Sequence, residues 1–237
     1  MPLYDDQGVV LRTHKLGEAD RIVTLLTREH GKVRAVAKGV RKTKSRFGGR
    51  LEPTSHVKLL MYEGRELDIV SQAETLDHFR AIRTDLDRLG QALSLLEAAD
   101  QLALERQPNP RLYDMLVGAL RTLAERDTPL VVAAFFLKLL ALEGFGPQVD
   151  TCLVCSSDEP LVAWAIEDGG LVCAAHRSGL AVSGEAVELL QAVLGGRLAA
   201  ALDVRGPAVS ELEHLSVRVL EHHLERRLRS VTALHRG

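Results

Sequence analysis

The chain has 237 residues, 46% of them apolar and 26% charged, with a formal net charge of −2. That is the composition of an ordinary globular chain, and it excludes a disordered or collagen-like one. No apolar run reaches membrane-spanning length; the longest, Leu130 to Leu142, is interrupted by Lys138 and reads as a buried helix, so no membrane contact is expected.

The near-neutral total conceals an asymmetry. Residues 1–80 carry 15 Lys/Arg against 11 Asp/Glu, whereas 81–237 carry 15 against 21. A basic front joined to an acidic back suits a protein that meets nucleic acid with one part only. The amino-terminal MPLYDDQGVV lacks the charged and apolar segments of a secretory signal, and a cytoplasmic location is expected.

In chain order, residues 6–76 read as β. Gln7 to Thr13 and Arg21 to Thr27 are short runs rich in Val, Ile and Leu, split by the turn-like Leu16-Gly17-Glu18. Lys32 to Lys38 follows the turn at His30-Gly31, and His56 to Tyr62 and Leu67 to Ala73 flank the hairpin signal Glu63-Gly64-Arg65. Five short strands in about seventy residues suit a small closed barrel, of which the oligonucleotide-binding (OB) form is the commonest.

The third strand leads into the most unusual stretch of the chain. Gly31 to Arg50 holds Lys32, Arg34, Lys38, Arg41, Lys42, Lys44, Arg46 and Arg50 and no Asp or Glu. On a strand, Lys32, Arg34 and Lys38 share one face and Val33, Ala35 and Ala37 the other. A flexible basic loop from Gly39 to Gly49 should follow. Cations crowded this closely repel one another, and a polyanion relieves the repulsion. The plainer alternative is a solvated loop that keeps the protein soluble. Phe47 and Tyr62 are the aromatic candidates for base stacking here, with Tyr62 read as a barrel core or rim residue.

From Thr84 the period becomes helical. Leu86, Leu89, Leu93, Leu96 and Ala103 step by three and four residues, and Thr84 with Asp87 resembles a cap. Asn109-Pro110 starts a second helix with the stripe Leu112, Met115, Leu116, Ala119 and Leu123. Thr128-Pro129 starts a third, apolar nearly all round and therefore the expected centre of a bundle, with Phe135 and Phe136 in the core. Later helices are expected at Gly184 to Leu194 and at Glu211 to Arg229, the last opened by Ser210-x-x-Glu213. His214, His222 and His223 on that helix read as part of a solvated charged face and not as a second metal site.

Between helices lies Cys152-x-x-Cys155, and seventeen residues later Cys173-x-x-His176. Two such knuckles supply the four donors of a tetrahedral zinc site, and all three cysteines of the chain fall in the pattern. A disulfide is a poor reading in a cytoplasmic chain. Four protein ligands close the shell, so one structural Zn2+ is expected, with Trp164 packed beneath it.

The amino-terminal stretch resembles the RecO family of recombination mediators. The match is carried by Gly8-Val9-Val10-Leu11, Gly17-Glu18-Ala19-Asp20 and His30-Gly31-Lys32. It continues through Lys38-Gly39-Val40-Arg41 and Lys44-Ser45-Arg46 to Leu51-Glu52-Pro53. A helical domain interrupted by a zinc finger, then more helix, also looks like the family. The expected fold is α+β: an N-terminal five-stranded OB-fold β-barrel followed by an α-helical bundle domain carrying an inserted zinc finger. The expected divisions are 1–80 (DNA-binding barrel), 81–150 (first helical part), 151–180 (zinc finger) and 181–237 (second helical part). The resemblance implies a non-enzymatic, nucleoid-associated DNA-repair protein. Such a protein binds single- and double-stranded DNA, anneals complementary strands and works with RecR to load RecA onto strands coated by single-strand binding protein (SSB). It also implies recognition of the SSB C-terminal tail. The rivals are an OB-fold adaptor that binds protein, and a zinc enzyme of the deaminase kind, whose pattern joins an H-x-E element to a CxxC that follows proline; here Thr151 precedes Cys152. No GxxxxGK[ST] loop suggests an ATP-driven machine.

Overall fold

The computed structural model describes residues 2–126 and 128–230. Its contacts divide the chain into two compact units, 1–125 and 126–237.

In the first unit, β1 (Leu3–Leu16), β2 (Asp20–Thr27), β3 (Gly31–Ala37), β4 (His56–Tyr62) and β5 (Asp68–Asp77) close a barrel in the order β1-β2-β3-β5-β4. All neighbours are antiparallel except β3 and β5. This is the OB-fold barrel anticipated from the strand count. Alternate residues of the strands fill it: Val10, Val23, Leu25, Val33, Ala35, Val57, Leu59, Met61 and Val70 are all almost completely buried. Period-two side chains on a closed sheet point alternately into the core and out of it, so register decides what the outer face offers. Gly31 begins β3 at φ +69, and a Cβ there would collide with the carbonyl of Gln107. Only glycine lets that strand start where it does.

Three helices follow, α1 (Arg80–Thr84), α2 (Leu86–Leu102) and α3 (Pro110–Glu125). Asp85, not Thr84, caps α2, its carboxylate accepting from the N–H groups of Asp87 and Arg88. The buried face of α2 is Ala92, Leu95, Leu96 and Ala99, whereas Leu86 is 83% exposed and Leu93 is also exposed. Of the expected leucine period, Leu96 and Ala103 are buried, so the stripe holds only towards the carboxyl end, and Ala92, Leu95 and Ala99 complete the buried face. In α3 the expected cap holds: Asn109 Oδ1 accepts from Leu112 N–H at 3.1 Å. Leu112, Leu116 and Leu123 of the expected stripe are buried, joined by Tyr113, Val117 and Leu120, while Met115 and Ala119 are half-buried.

The second unit contains α4 (Leu130–Leu142), β6 (Leu161–Ala165), β7 (Gly170–Cys173), β8 (Leu180–Ala181), α5 (Gly184–Leu194), α6 (Leu198–Ala201) and α7 (Pro207–His223). Helix α4 is buried nearly all round, Phe135 and Phe136 included, and packs on α7 and α5. The last helix begins at Pro207 after Gly206, so Ser210 and Glu213 lie inside it and form no cap. The small sheet β7-β6-β8 and the helix α6 are additions to the sequence reading. No helix among the described residues is long and apolar enough to cross a membrane.

Candidate nucleic-acid interface and metal centre

The basic stretch is a series of tight turns tied to the barrel and not the flexible span its composition suggests. Gly39 N–H donates to Asp20 Oδ1 at 2.7 Å, and Arg41 N–H to the Ala19 carbonyl at 2.9 Å. Further turns are closed by Ser45 N–H to Lys42 O and Arg50 N–H to Phe47 O. Val40, Phe47 and Leu51 drop into the barrel core, with Phe47 1% exposed. Phe47 is thereby removed from the stacking candidates. Tyr62, last residue of β4, stands on the rim with 40% of its surface exposed.

The expected cations divide in two. Arg34, Lys38, Arg41, Lys42, Lys44 and Arg46 are exposed and Arg50 is half-buried. Among the described residues none of these seven pairs with a carboxylate; Arg41, Arg46 and Arg50 lean on backbone carbonyls instead. The Arg46 guanidinium also lies 4.8 Å from the centre of the Phe47 ring. Lys32 differs. Its Nζ donates to the Asp100 carbonyl at 2.6 Å and lies 3.4 Å from the Asp100 carboxylate, which also accepts from Arg12 Nε at 2.6 Å. Lys32 and Arg12 together hold the end of α2 against β1 and β3.

Two further polar links tie the barrel to α3 and to the segment that precedes it. His56 Nε2 sits 2.6 Å from Tyr113 Oη, joining β4 to α3. Burial lowers the His56 pKa below its ordinary value and pushes the Tyr113 phenol up to about 12, so near neutrality the pair is an uncharged imidazole and a protonated phenol. Asp68, wholly buried, is bonded by Tyr4 Oη and by the Arg106 guanidinium, and accepts from Gly64 N–H at 2.9 Å.

In the second unit the donor atoms of Cys152, Cys155, Cys173 and His176 all lie within 4.8 Å of one another. Cys155 Sγ is 3.9 Å from Cys173 Sγ, and His176 Nδ1 is 3.5 Å and 3.8 Å from the sulfurs of Cys173 and Cys152. Bond lengths of about 2.3 Å to sulfur and 2.0 Å to nitrogen on a tetrahedron give donor separations of about 3.5–3.8 Å. The four residues therefore fit a tetrahedral metal ion. Cys173 N–H donates to Cys152 Sγ at 3.4 Å and lowers that thiol's pKa, while burial raises that of Cys173. It is the only such cluster among the described residues, so His214, His222 and His223 join no metal group. An H-x-E triplet does occur at His223-Leu224-Glu225, but the His223 ring packs at a tilt against Phe145, with ring centres 3.9 Å apart, and is no part of the cluster. Trp164 is completely buried at the middle of β6, the central strand of the sheet.

A closed OB barrel bearing a cationic loop that pairs with no carboxylate among the described residues, with helices and a separate Cys3His cluster after it, defines an OB-fold protein whose second unit could hold a metal ion. The family description "Recombination protein O N terminal" matches residues 1–79, and "Recombination protein O C terminal" matches residues 83–232. The chain is also 47% identical, over the full length of both, to the DNA repair protein RecO of Frankia casuarinae. It belongs to the RecO family.

Proposed function

We propose that this protein is a recombination mediator in DNA repair that binds single- and double-stranded DNA and anneals complementary strands. With RecR it helps load RecA onto SSB-coated single strands, and it recognises the SSB C-terminal tail. The observation that carries the reading is the state of the cations: Arg34, Lys38, Arg41, Lys42, Lys44, Arg46 and Arg50 occupy one stretch of an OB barrel, and among the described residues no carboxylate pairs with them. Two strands repel through their phosphates, and a surface that neutralises both lets base pairing nucleate. No covalent step is required. Lys32 is left out of the contact set, because its charge is spent on Asp100. The knuckle holds Zn2+ as a structural ion, its four protein donors closing the shell and leaving no position for substrate. Such a protein acts where the chromosome is, in the cytoplasm and on the nucleoid.

The test is annealing of SSB-coated complementary strands, with DNA affinity measured across salt. Replacing Arg41, Lys42, Lys44 and Arg46 together by alanine should slow annealing and flatten the salt dependence by about 0.7 per lost contact on single strands. Lys32→Ala should cost stability and leave the slope alone. A quadruple variant with wild-type slope and annealing rate would remove the loop from the mechanism.

A further inference from the structure

The second unit contains a cleft that the metal cluster does not use. It measures about 420 Å3, within the usual range for a ligand pocket. Three pieces of chain bound it: the exit from α4, the turn between β6 and β7, and the carboxyl end of α7. Part of the lining is apolar, from Leu140, Phe145, Trp164, Ile166 and Val219. The rest carries Glu167, Asp168 and Glu225 beside His222 and His223, and no Lys or Arg lines it.

The way α4 ends fixes the aromatic part. It closes in a Schellman motif: Gly144, at φ +90, donates its N–H to the Ala141 carbonyl at 3.2 Å, and Phe145 donates to the Leu140 carbonyl at 2.9 Å. The helix stop thereby sets the Phe145 ring at the cleft, 59% exposed, with the His223 ring tilted against it. An apolar side chain packed there would take the ring out of water.

The charge names the sign of the guest. Glu167, Asp168 and Glu225 are exposed, and among the described residues none of them forms an ion pair. Helices α4 and α7 both end at the cleft, and the negative ends of their dipoles favour a cation as well. A neighbouring hollow shares Ile166, His222 and Glu225 and brings in Arg218, Arg226 and Arg227, so the acidic character belongs to the side that Glu167 and Asp168 close. Phosphates are repelled there, which excludes nucleic acid. A bare metal ion would leave the apolar lining unused. Trp164, wholly buried, also has an Nε1–H with no hydrogen-bond partner among the described residues. A backbone carbonyl satisfies such a donor and a free polyamine does not.

We propose that this cleft docks a basic peptide segment of a protein partner. An arginine or lysine side chain lies among Glu167, Asp168 and Glu225, and an apolar neighbour packs on Phe145. The surface is separate from the DNA-binding barrel in both place and sign of charge.

The experiment titrates the full chain with the labelled pentapeptide acetyl-Leu-Arg-Leu-Arg-Leu-amide, its counterpart with glutamate for arginine, and spermidine as competitor. Anisotropy of the label reads affinity, and emission of Trp164, the only tryptophan, reports entry into the cleft. The basic peptide should bind and change Trp164 emission, the acidic one should do neither, and spermidine should displace the basic peptide poorly. Phe145→Ala should weaken binding about tenfold. Glu167→Gln with Asp168→Asn should weaken it up to about fivefold per carboxylate and flatten its salt dependence. Oligothymidine affinity and the Trp164 urea midpoint should stay at wild-type values in both variants, since the three side chains are exposed. No binding of the basic peptide, equal binding of the acidic one, or basic binding that survives both variants would overturn the proposal. Displacement by spermidine as effective as by unlabelled peptide would give the cleft to a free polyamine instead. Self-association lost in Phe145→Ala, with no peptide bound by wild type, would give it to a second copy of the chain.

Discussion

The two units crowd chemically distinctive residues into short stretches, and they put them to opposite uses. In the barrel unit the strands close on themselves and bury a complete core of Val, Leu, Met and Phe. The cations of the connecting loop take no part in that core and remain outside it, unneutralised. In the second unit, β6, β7 and β8 have five, four and two residues. Strands this short do not make an independently stable sheet. Cys152 and Cys173 are buried there, and their sulfurs converge with those of Cys155 and with His176. A cluster that the fold leaves exposed and unpaired is available to a partner. One whose donor atoms converge on one another, as these four do, is built to be closed by an ion.

The largest effect that could break this contrast is loss of the metal ion proposed for the Cys152, Cys155, Cys173 and His176 cluster. Binding energy at a structural site is folding energy, because the donors are not preassembled in the unfolded chain. Cys173→Ser, or chelation of the wild type, should abolish metal uptake and destabilise the second unit by at least about 3 kcal/mol. Trp164 is the only tryptophan and lies wholly buried in the small sheet, so its fluorescence follows this unit alone. The expected outcome is an early Trp164 transition in urea with oligonucleotide binding largely retained. A Trp164 midpoint that does not move on metal removal would show that the cluster is not scaffold.

Next in size is a test within the loop itself, where two adjacent residues should behave like members of different regions. Phe47 is fully buried, and Phe47→Ala should cost about 3–5 kcal/mol of barrel stability. Arg46 is exposed, and its contact with the Phe47 ring is worth no more than about 1 kcal/mol. Arg46→Ala should therefore leave the melting curve nearly in place while lowering DNA affinity. If the two variants lose stability equally, the loop is a single structural element and its charges lose their special status.

These neighbours also show what the sequence could disclose. The barrel was legible because Val33, Ala35 and Ala37 alternate with charged residues, and the metal centre because its spacing is itself a geometric statement. Phe47 was not, since an aromatic between arginine and glycines reads equally as a stacking ring or a plug, and only the path of the loop decides. Lys32 has the same character. Its face on β3 was predicted, but its partner Asp100 is 68 residues away in sequence, and no local pattern announces such a pair. On α2 the leucine period held at Leu96 and failed at Leu86 and Leu93, and it missed Ala92 and Ala99, whose small size carries little weight in an apolar count.

The smallest expected effect concerns how the barrel is held to α3. His56 is buried beside Tyr113, and burial depresses its pKa below the ordinary value, with Arg121 acting in the same direction and Asp77 against it. In the unfolded chain it titrates near pH 6.5. Between the folded and unfolded values the unfolded chain binds more protons, so this contribution to stability is complete above about pH 6.5 and is lost as the pH falls towards the lower folded value. His56→Gln removes that proton linkage whatever it does to stability at neutral pH. Urea midpoints read by circular dichroism at about pH 7.5 and 5.5 should therefore differ less in the variant than in the wild type. The other eight histidines are common to both proteins and cancel in the comparison. Equal differences in the two would mean that His56 is protonated in the fold, and that Tyr113 accepts a hydrogen bond from it across the β4–α3 junction.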